Sequence, residues 1–143
     1  TPNDHEGVSL SGVNRTINRH RWDMPELLAR LDDPISSQSR VFHELRRIIQ
    51  LRKQQAAFHP NGQQFILQLG HELFGFWRES LDGEQVVFAL HNMTAGPVNV
   101  SPLELNLAVD SNWIDLLEDE SIDVKSGSVE FRPYQCRWIT NQS

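Results

Sequence analysis

In the run NRTINRHR, positions 14 to 21, side chains able to do chemistry crowd together. Asn14, Arg15, Asn18, Arg19, His20 and Arg21 bring forked guanidinium donors and amides into one non-repetitive stretch. Such groups suit a polyol or a phosphate, because arginine gives bidentate, directional hydrogen bonds. The same arginines could instead form salt bridges with carboxylates of a neighbouring domain, and composition alone leaves both readings open. The six histidines, His5, His20, His43, His59, His71 and His91, show no pairing at metal-ligand spacing. With a single cysteine a structural zinc site is disfavoured, and no metal is expected. No GxSxG, P-loop or GxGxxG is present, and no cofactor is implied. Cys136 alternates with Tyr134 and Trp138 and reads as a buried structural thiol. Asp32-Asp33 and Glu118-Asp119-Glu120 are carboxylate neighbours in polar turns, which rarely hold the fixed separation that glycoside chemistry needs.

Composition narrows the setting of that cluster. The chain has 143 residues with a formal charge of −6 and a pI near 5.4. An acidic balance disfavours a nucleic-acid partner, whose phosphates call for a basic surface, and equally a polybasic membrane anchor. No apolar run approaches the ~20 residues of a membrane span, and the N-terminus lacks a signal-peptide pattern. A lone cysteine fits a reducing cytoplasm. The chain starts at Thr1 rather than Met, which suggests a processed or truncated product.

The elements that must position the cluster fall into three parts. The first, up to about position 22, is a polar lead with no apolar period. A self-contained domain rarely carries a structureless run of ~20 residues, so the lead is either disordered or shaped to pack on something else. A capping box, Asp23 with Glu26, then predicts a helix over Met24 to Leu31, with Pro25 in the first turn and Trp22 and Leu27 as a hydrophobic staple. A longer helix is predicted over Ser37 to Ala57. Val41, Leu45, Ile48 and Ile49 form its apolar stripe, with Phe42 beside them. Arg46, Arg47, Arg52 and Lys53 lie mostly off the stripe and read as a solvated face. After Pro60 and Gly62 the period changes to two. QFILQL, ELFGFWRES, QVVFALHNMT, GPVNVSPLELNL, GSVEFRP and YQCRWIT read as strands, NWIDLLED as strand or turn, and Asp82-Gly83 as a hairpin turn. Short strands at close spacing indicate an antiparallel sandwich or half-barrel.

At this point the residues carry a likeness. TPNDHEG…SGVNRTINRHRWD resembles the segment after the last barrel strand in sucrose phosphorylase and its relatives in glycoside hydrolase family 13, where an Asn-Asp pair precedes INRH. The helical stretch and the β tail are similar to the continuation of those enzymes, so the likeness spans essentially the whole chain.

The resemblance implies an α+β chain. A short N-terminal loop and two helices would be the remnant of a (β/α)8 barrel, followed by an antiparallel all-β C-terminal sandwich. Its implied parts are 1–22, a barrel active-site loop; 23–58, the last barrel helices; and 63–143, the β domain. Active-site loops of such barrels sit at the C-terminal face, where the substrate lies. The family uses a retaining double displacement, in which a carboxylate forms a glucosyl-enzyme and phosphate releases α-glucose 1-phosphate.

By position in INRH, Arg19 would hydrogen-bond the glucose hydroxyls, supported by His20. Asn3 and Asp4 match the Asn-Asp pair and would shape the loop, and Arg15 matches an arginine of undetermined role. The nucleophile, the acid/base and the transition-state aspartate have no counterpart in this chain, so no catalytic residue is expected in it and the chain alone should be silent. The implied partners are the missing barrel, a small sugar and phosphate, in a bacterial cytoplasmic enzyme, and the reading allows a homodimer. The HRWD continuation points toward a donor other than sucrose. The alternative is a carbohydrate-binding or interaction β domain, for which Trp77, Trp113, Tyr134 and Trp138 would be the platform candidates. Trp77 and Trp138, alternating with apolar partners, read as core.

Overall fold

A computed structural model describes residues 3–18, 21–107 and 112–141. The chain divides into two compact units, Thr1–Arg47 and Ile48–Ser143.

In the first unit the polar lead is wound, not structureless. Helix α1 (His5–Ser11) is followed by a 3-10 turn, Asn14–Asn18. Asp4 starts α1, its carboxylate accepting the Gly7 N–H at 2.7 Å, and Gly12 ends it at a φ of 66°, where a side chain would be strained. Helix α2 (Met24–Asp32) begins as the capping box requires, with the Asp23 carboxylate accepting the Glu26 N–H at 3.3 Å. Arg30 reaches back one turn to Glu26 at 3.0 Å and lays its guanidinium 5.4 Å from the centre of the Trp22 ring. Two serines fix the α2–α3 corner. The Ser36 hydroxyl donates to the Arg30 carbonyl and accepts the Ser39 N–H, and the Ser39 hydroxyl donates to Leu31 at 2.8 Å.

Helix α3 (Ser37–Lys53) stops before the predicted Ala57. Gln54 and Gln55 bond three residues back, to Leu51 and Arg52, and Gln55 turns extended. The chain then forms a 3-10 turn, Ala56–Phe58, because the Ala57 N–H is taken by the Gln85 side chain at 2.9 Å. Ala57 and Phe58 are buried there, and that burial outweighs continued helical bonding. The stripe predicted on α3 exists, and Val41, Leu45 and Ile49 on it are exposed.

The second unit is antiparallel throughout. Strands β1 (Gln63–Leu67), β2 (Leu73–Glu79), β3 (Val86–Asn92), β5 (Trp113–Asp115), β6 (Glu120–Ile122) and β8 (Cys136–Thr140) form a sheet in the order β1-β2-β3-β8-β5-β6. Strands β4 (Val98–Val100) and β7 (Val129–Phe131) pair as a second, small sheet. Asp82-Gly83 makes the β2–β3 turn. Gly83 has a φ of 75°, and the Asp82 carboxylate accepts from the Ser80 hydroxyl and the Glu84 N–H. Those two bonds, the Ser80 one first, hold the Asp82 carboxyl below the usual range.

The main core lies between the sheets. It joins Leu73, Phe88, Leu90 and Ile139 of the large sheet to Val98, Val100, Val129 and Phe131 of the small one. Gly75 faces this core because a Cβ there would lie 2.7 Å from Leu90. A second cluster on the other face joins Val87, Leu116 and Trp138 to Ala57 and Phe58.

Three sequence expectations meet corrections in this unit. The extended reading of GPVNVSPLELNL holds only over β4. The chain then turns, returning Leu105 and Leu107 to the core. Tyr134, predicted on one strand face with Cys136 and Trp138, sits in a turn at a φ of 56°, so β8 begins at Cys136. Cys136 itself is exposed and not buried, because it opens the strand on the face away from the main core. Among the described residues no helix is long and apolar enough to cross a membrane.

Candidate functional site

Asp4 organises the lead. Its backbone N–H donates to the Ile17 carbonyl at 2.7 Å while its carboxylate caps α1, so both ends of the α1–turn excursion meet at one residue. Gly7 is required beside it, since a Cβ there would lie 2.7 Å from the Asp4 Cγ. The Ser11 hydroxyl donates to the Gly7 carbonyl at 2.6 Å and lies 3.2 Å from the Thr16 hydroxyl, which donates to Val13 at 2.7 Å. A concavity of about 610 Å³ opens here, lined by Asp4, Glu6, Gly7, Leu10, Ser11, Thr16 and Arg21.

Of the residues singled out from sequence, the structure therefore brings Asp4 and Arg21 to one concavity. Asn3, Arg15 and Asn18 are exposed and do not line it. Arg19 and His20 lie outside the described residues. Sequence reasoning passed over Glu6, Ser11 and Thr16. Their only signal was the Asp-x-x-Gly spacing of Asp4 and Gly7, which places a cap and makes the following polar residues one turn of wall.

The other polar candidates have structural occupations. Asp33 accepts the Ile35 N–H at 3.0 Å, and Glu118 pairs with Arg132 at 2.9 Å. Asp119 occupies a turn at a φ of 57°. Among the described residues no three His, Cys, Asp or Glu side chains converge as metal ligands. Trp113 is buried in the main core, Trp77 packs against it stacked on Phe65 at 4.5 Å, and Trp138 packs on Phe58 at 4.9 Å. Of the four aromatic platform candidates only Tyr134 stands free of these clusters, at 67% exposure.

The strongest electrostatic feature is within the β unit. Asp115 is wholly buried, its Oδ1 accepting the N–H groups of Leu117 at 3.0 Å and Trp138 at 3.1 Å. Its Oδ2 stands 3.7 Å from the Arg137 Nε, too long for a hydrogen bond, and among the described residues neither atom has a hydrogen-bond partner. Burial pushes the Asp115 carboxyl above the usual range, against the pull of the two backbone donors and of Arg137.

No family model matches the chain. It is similar to three curated enzymes named glucosylglycerate phosphorylase. The one from Allomeiothermus silvanus is 32% identical over 139 residues, 97% of this chain and 22% of the relative. That from Escherichia coli K12 is 30% identical over 96% of this chain and 23% of the relative. That from Spirochaeta thermophila is 36% identical over 96% of this chain and 25% of the relative. The chain thus spans a quarter or less of the length of the curated relatives it matches.

Three solved structures share its fold. AmyP in complex with maltose matches with a TM-score of 0.61 at 14% identity, covering 74% of this chain and 21% of that one. The trehalose-6-phosphate hydrolase TreA of Bacillus licheniformis gives 0.55 at 17%, covering 78% and 19%. The trehalulose synthase MutB of Pseudomonas mesoacidophila gives 0.52 at 20%, covering 79% and 19%. Along nearly its whole length the chain is similar in sequence to part of these glucosylglycerate phosphorylases, and its fold recurs in the three solved structures.

Proposed function

We propose that the chain is the C-terminal quarter of a retaining α-glucosyl phosphorylase that converts glucosylglycerate and phosphate to α-glucose 1-phosphate and glycerate. The observation that carries this is the match over 96–97% of the chain to three enzymes of that name. In this reading 1–22 is an active-site loop, 23–58 the last helices of the barrel and 63–143 the β domain. The nucleophile and the acid/base are supplied by the part of the enzyme outside this chain, so the 143 residues alone are silent. A lone cysteine suits a reducing cytoplasm.

The chain's own contribution is binding and orientation. Arg19 donates to the glucose hydroxyls and His20 supports it. The Asp4 N–H donates to the Ile17 carbonyl and so closes the loop ahead of the INRH motif, with Asn3 next to Asp4 in the chain. Arginine donors set in place before a sugar arrives strengthen its binding. The test is the ranking of kcat/KM for the full-length gene product over glucosylglycerate, glucosylglycerol, sucrose and sucrose 6-phosphate. Glucosylglycerate should rank first, and a preference for another donor would overturn the substrate assignment.

A further inference from the structure

The concavity of the polar lead holds one positive charge. Of the described residues that line it only Arg21 is cationic, and it shares the wall with the carboxylates of Asp4 and Glu6 and the hydroxyls of Ser11 and Thr16. Most of that wall is already committed. The Asp4 carboxylate accepts the Gly7 N–H at 2.7 Å, and the Ser11 and Thr16 hydroxyls donate to the Gly7 and Val13 carbonyls at 2.6 and 2.7 Å. Ser11 Oγ also accepts the Val13 N–H at 3.2 Å. Neither hydroxyl has a proton left for a guest. Arg21 differs. Arg30, Arg47, Arg132 and Arg137 each stand beside a carboxylate, at 2.6–3.7 Å. Among the described residues Arg21 has no such partner, so its planar fork of N–H donors is open to the concavity. Glu6, exposed on the same wall, is likewise without a partner among the described residues.

The charges of the wall discriminate between anions. Inorganic phosphate carries more than one negative charge at neutral pH and would meet the Asp4 and Glu6 carboxylates with a single guanidinium to answer it. A carboxylate carries one charge, which one guanidinium answers in a bidentate pair. A hydroxy acid also brings a hydroxyl proton, for which the Glu6 carboxylate is the acceptor. An open guanidinium and an open carboxylate on one wall are therefore the complement of a hydroxy acid. We propose that Arg21 reads the carboxylate of the glycerate half of the donor, with Glu6 accepting from its hydroxyl. This rests on the phosphorylase reading above, which puts Arg19 and His20 on the glucose half and leaves the glycerate half without a partner in this chain. Glucosylglycerol has a hydroxymethyl group in place of that carboxylate, and sucrose carries no charge. Arg21 thus sets the preference for the charged donor over both, as a difference in affinity.

The test is the ratio of kcat/KM for glucosylglycerate over glucosylglycerol in the full-length gene product, for the wild type, Arg21→Ala and Arg21→Lys, with the KM for phosphate measured beside it. Arg21→Ala should lower the ratio roughly 10–100-fold, the effect of one charge-assisted pair. Arg21→Lys should restore part of it, since lysine keeps the charge and loses the fork. Arg21 is exposed, so its truncation leaves no buried group unpaired and the fold is kept. A ratio within about twofold of the wild type would overturn the proposal, whether both donors hold or both fall together. A raised KM for phosphate at an unmoved ratio would overturn it too and assign Arg21 to phosphate. The phosphorylase reading fails separately. A wild type that releases no glucose 1-phosphate from glucosylglycerate removes that reading and the role of Arg21 with it, whereas release with an unmoved ratio removes the role of Arg21 alone.

Discussion

Gln85→Leu is the sharpest probe of why α3 ends where it does. Gln85 is buried, accepts the Ala57 N–H at 2.9 Å through Oε1 and donates to the Gln55 Oε1 at 2.6 Å through Nε2. Leucine keeps the bulk and removes both bonds. The Ala57 N–H and the Gln55 amide oxygen are then left buried without that partner, at roughly 1–3 kcal/mol each, so the expected loss is about 2–6 kcal/mol. Urea unfolding of the chain followed by far-UV circular dichroism reads this directly. With a slope of roughly 1–3 kcal/mol/M, the midpoint should fall by about 1 M or more at an unchanged slope. Gln55→Leu should remove one side of the same pair, and the double variant should lose less than the sum by ~0.5 kcal/mol or more. A midpoint shift below ~0.3 M, or strict additivity, would refute the idea that this side chain draws Ala57 out of the helix.

Gly75→Ala places a Cβ 2.7 Å from a Leu90 side chain that has no exposed surface to retreat into, and about 1–3 kcal/mol should be lost in the same assay. Asp115→Asn tests the buried carboxylate. A folded pKa raised above the unfolded value means that the proton stabilises the fold, fully below the unfolded value near 3.8 and less as pH rises through the folded pKa. The wild type should therefore lose stability relative to Asp115→Asn across that window, and a constant difference in Tm with pH would contradict the shift. Arg19→Ala in the full-length protein should lower kcat/KM by roughly 10–100-fold, the worth of charged hydrogen bonds at about 1.5–3 kcal/mol, with an unchanged circular dichroism spectrum. Unchanged kinetics would remove Arg19 from the site.

Local chemistry made some elements legible in sequence and distance hid the others. Asp23 and Glu26 announced α2 because the cap and the N–H it accepts are only three residues apart, and Asp82-Gly83 announced the β2–β3 turn because its residues are likewise local. The end of α3 was hidden because its cause, Gln85, lies 28 residues beyond Ala57. Helix α1 is seven residues long and buries none of them, so it leaves no apolar period to read, and only Asp4 and Gly12 mark its ends. The alternation Tyr134–Cys136–Trp138 misled because a period of two holds only in extended backbone, and Tyr134 is in the left-handed region. At the candidate site the motif could nominate Asn3, Asp4, Arg19 and His20. That Asp4 is at once a helix cap and the partner of Ile17 depends on backbone closure, which no residue type encodes by itself.

The most direct test of the account is phosphate-dependent release of α-glucose 1-phosphate from glucosylglycerate by the full-length gene product, with and without inorganic phosphate, beside the 143-residue chain alone. The account predicts release that requires phosphate and the full-length protein, and none from the chain. Free glucose in place of the phosphate ester, or no turnover of glucosylglycerate by the full-length protein, would contradict it.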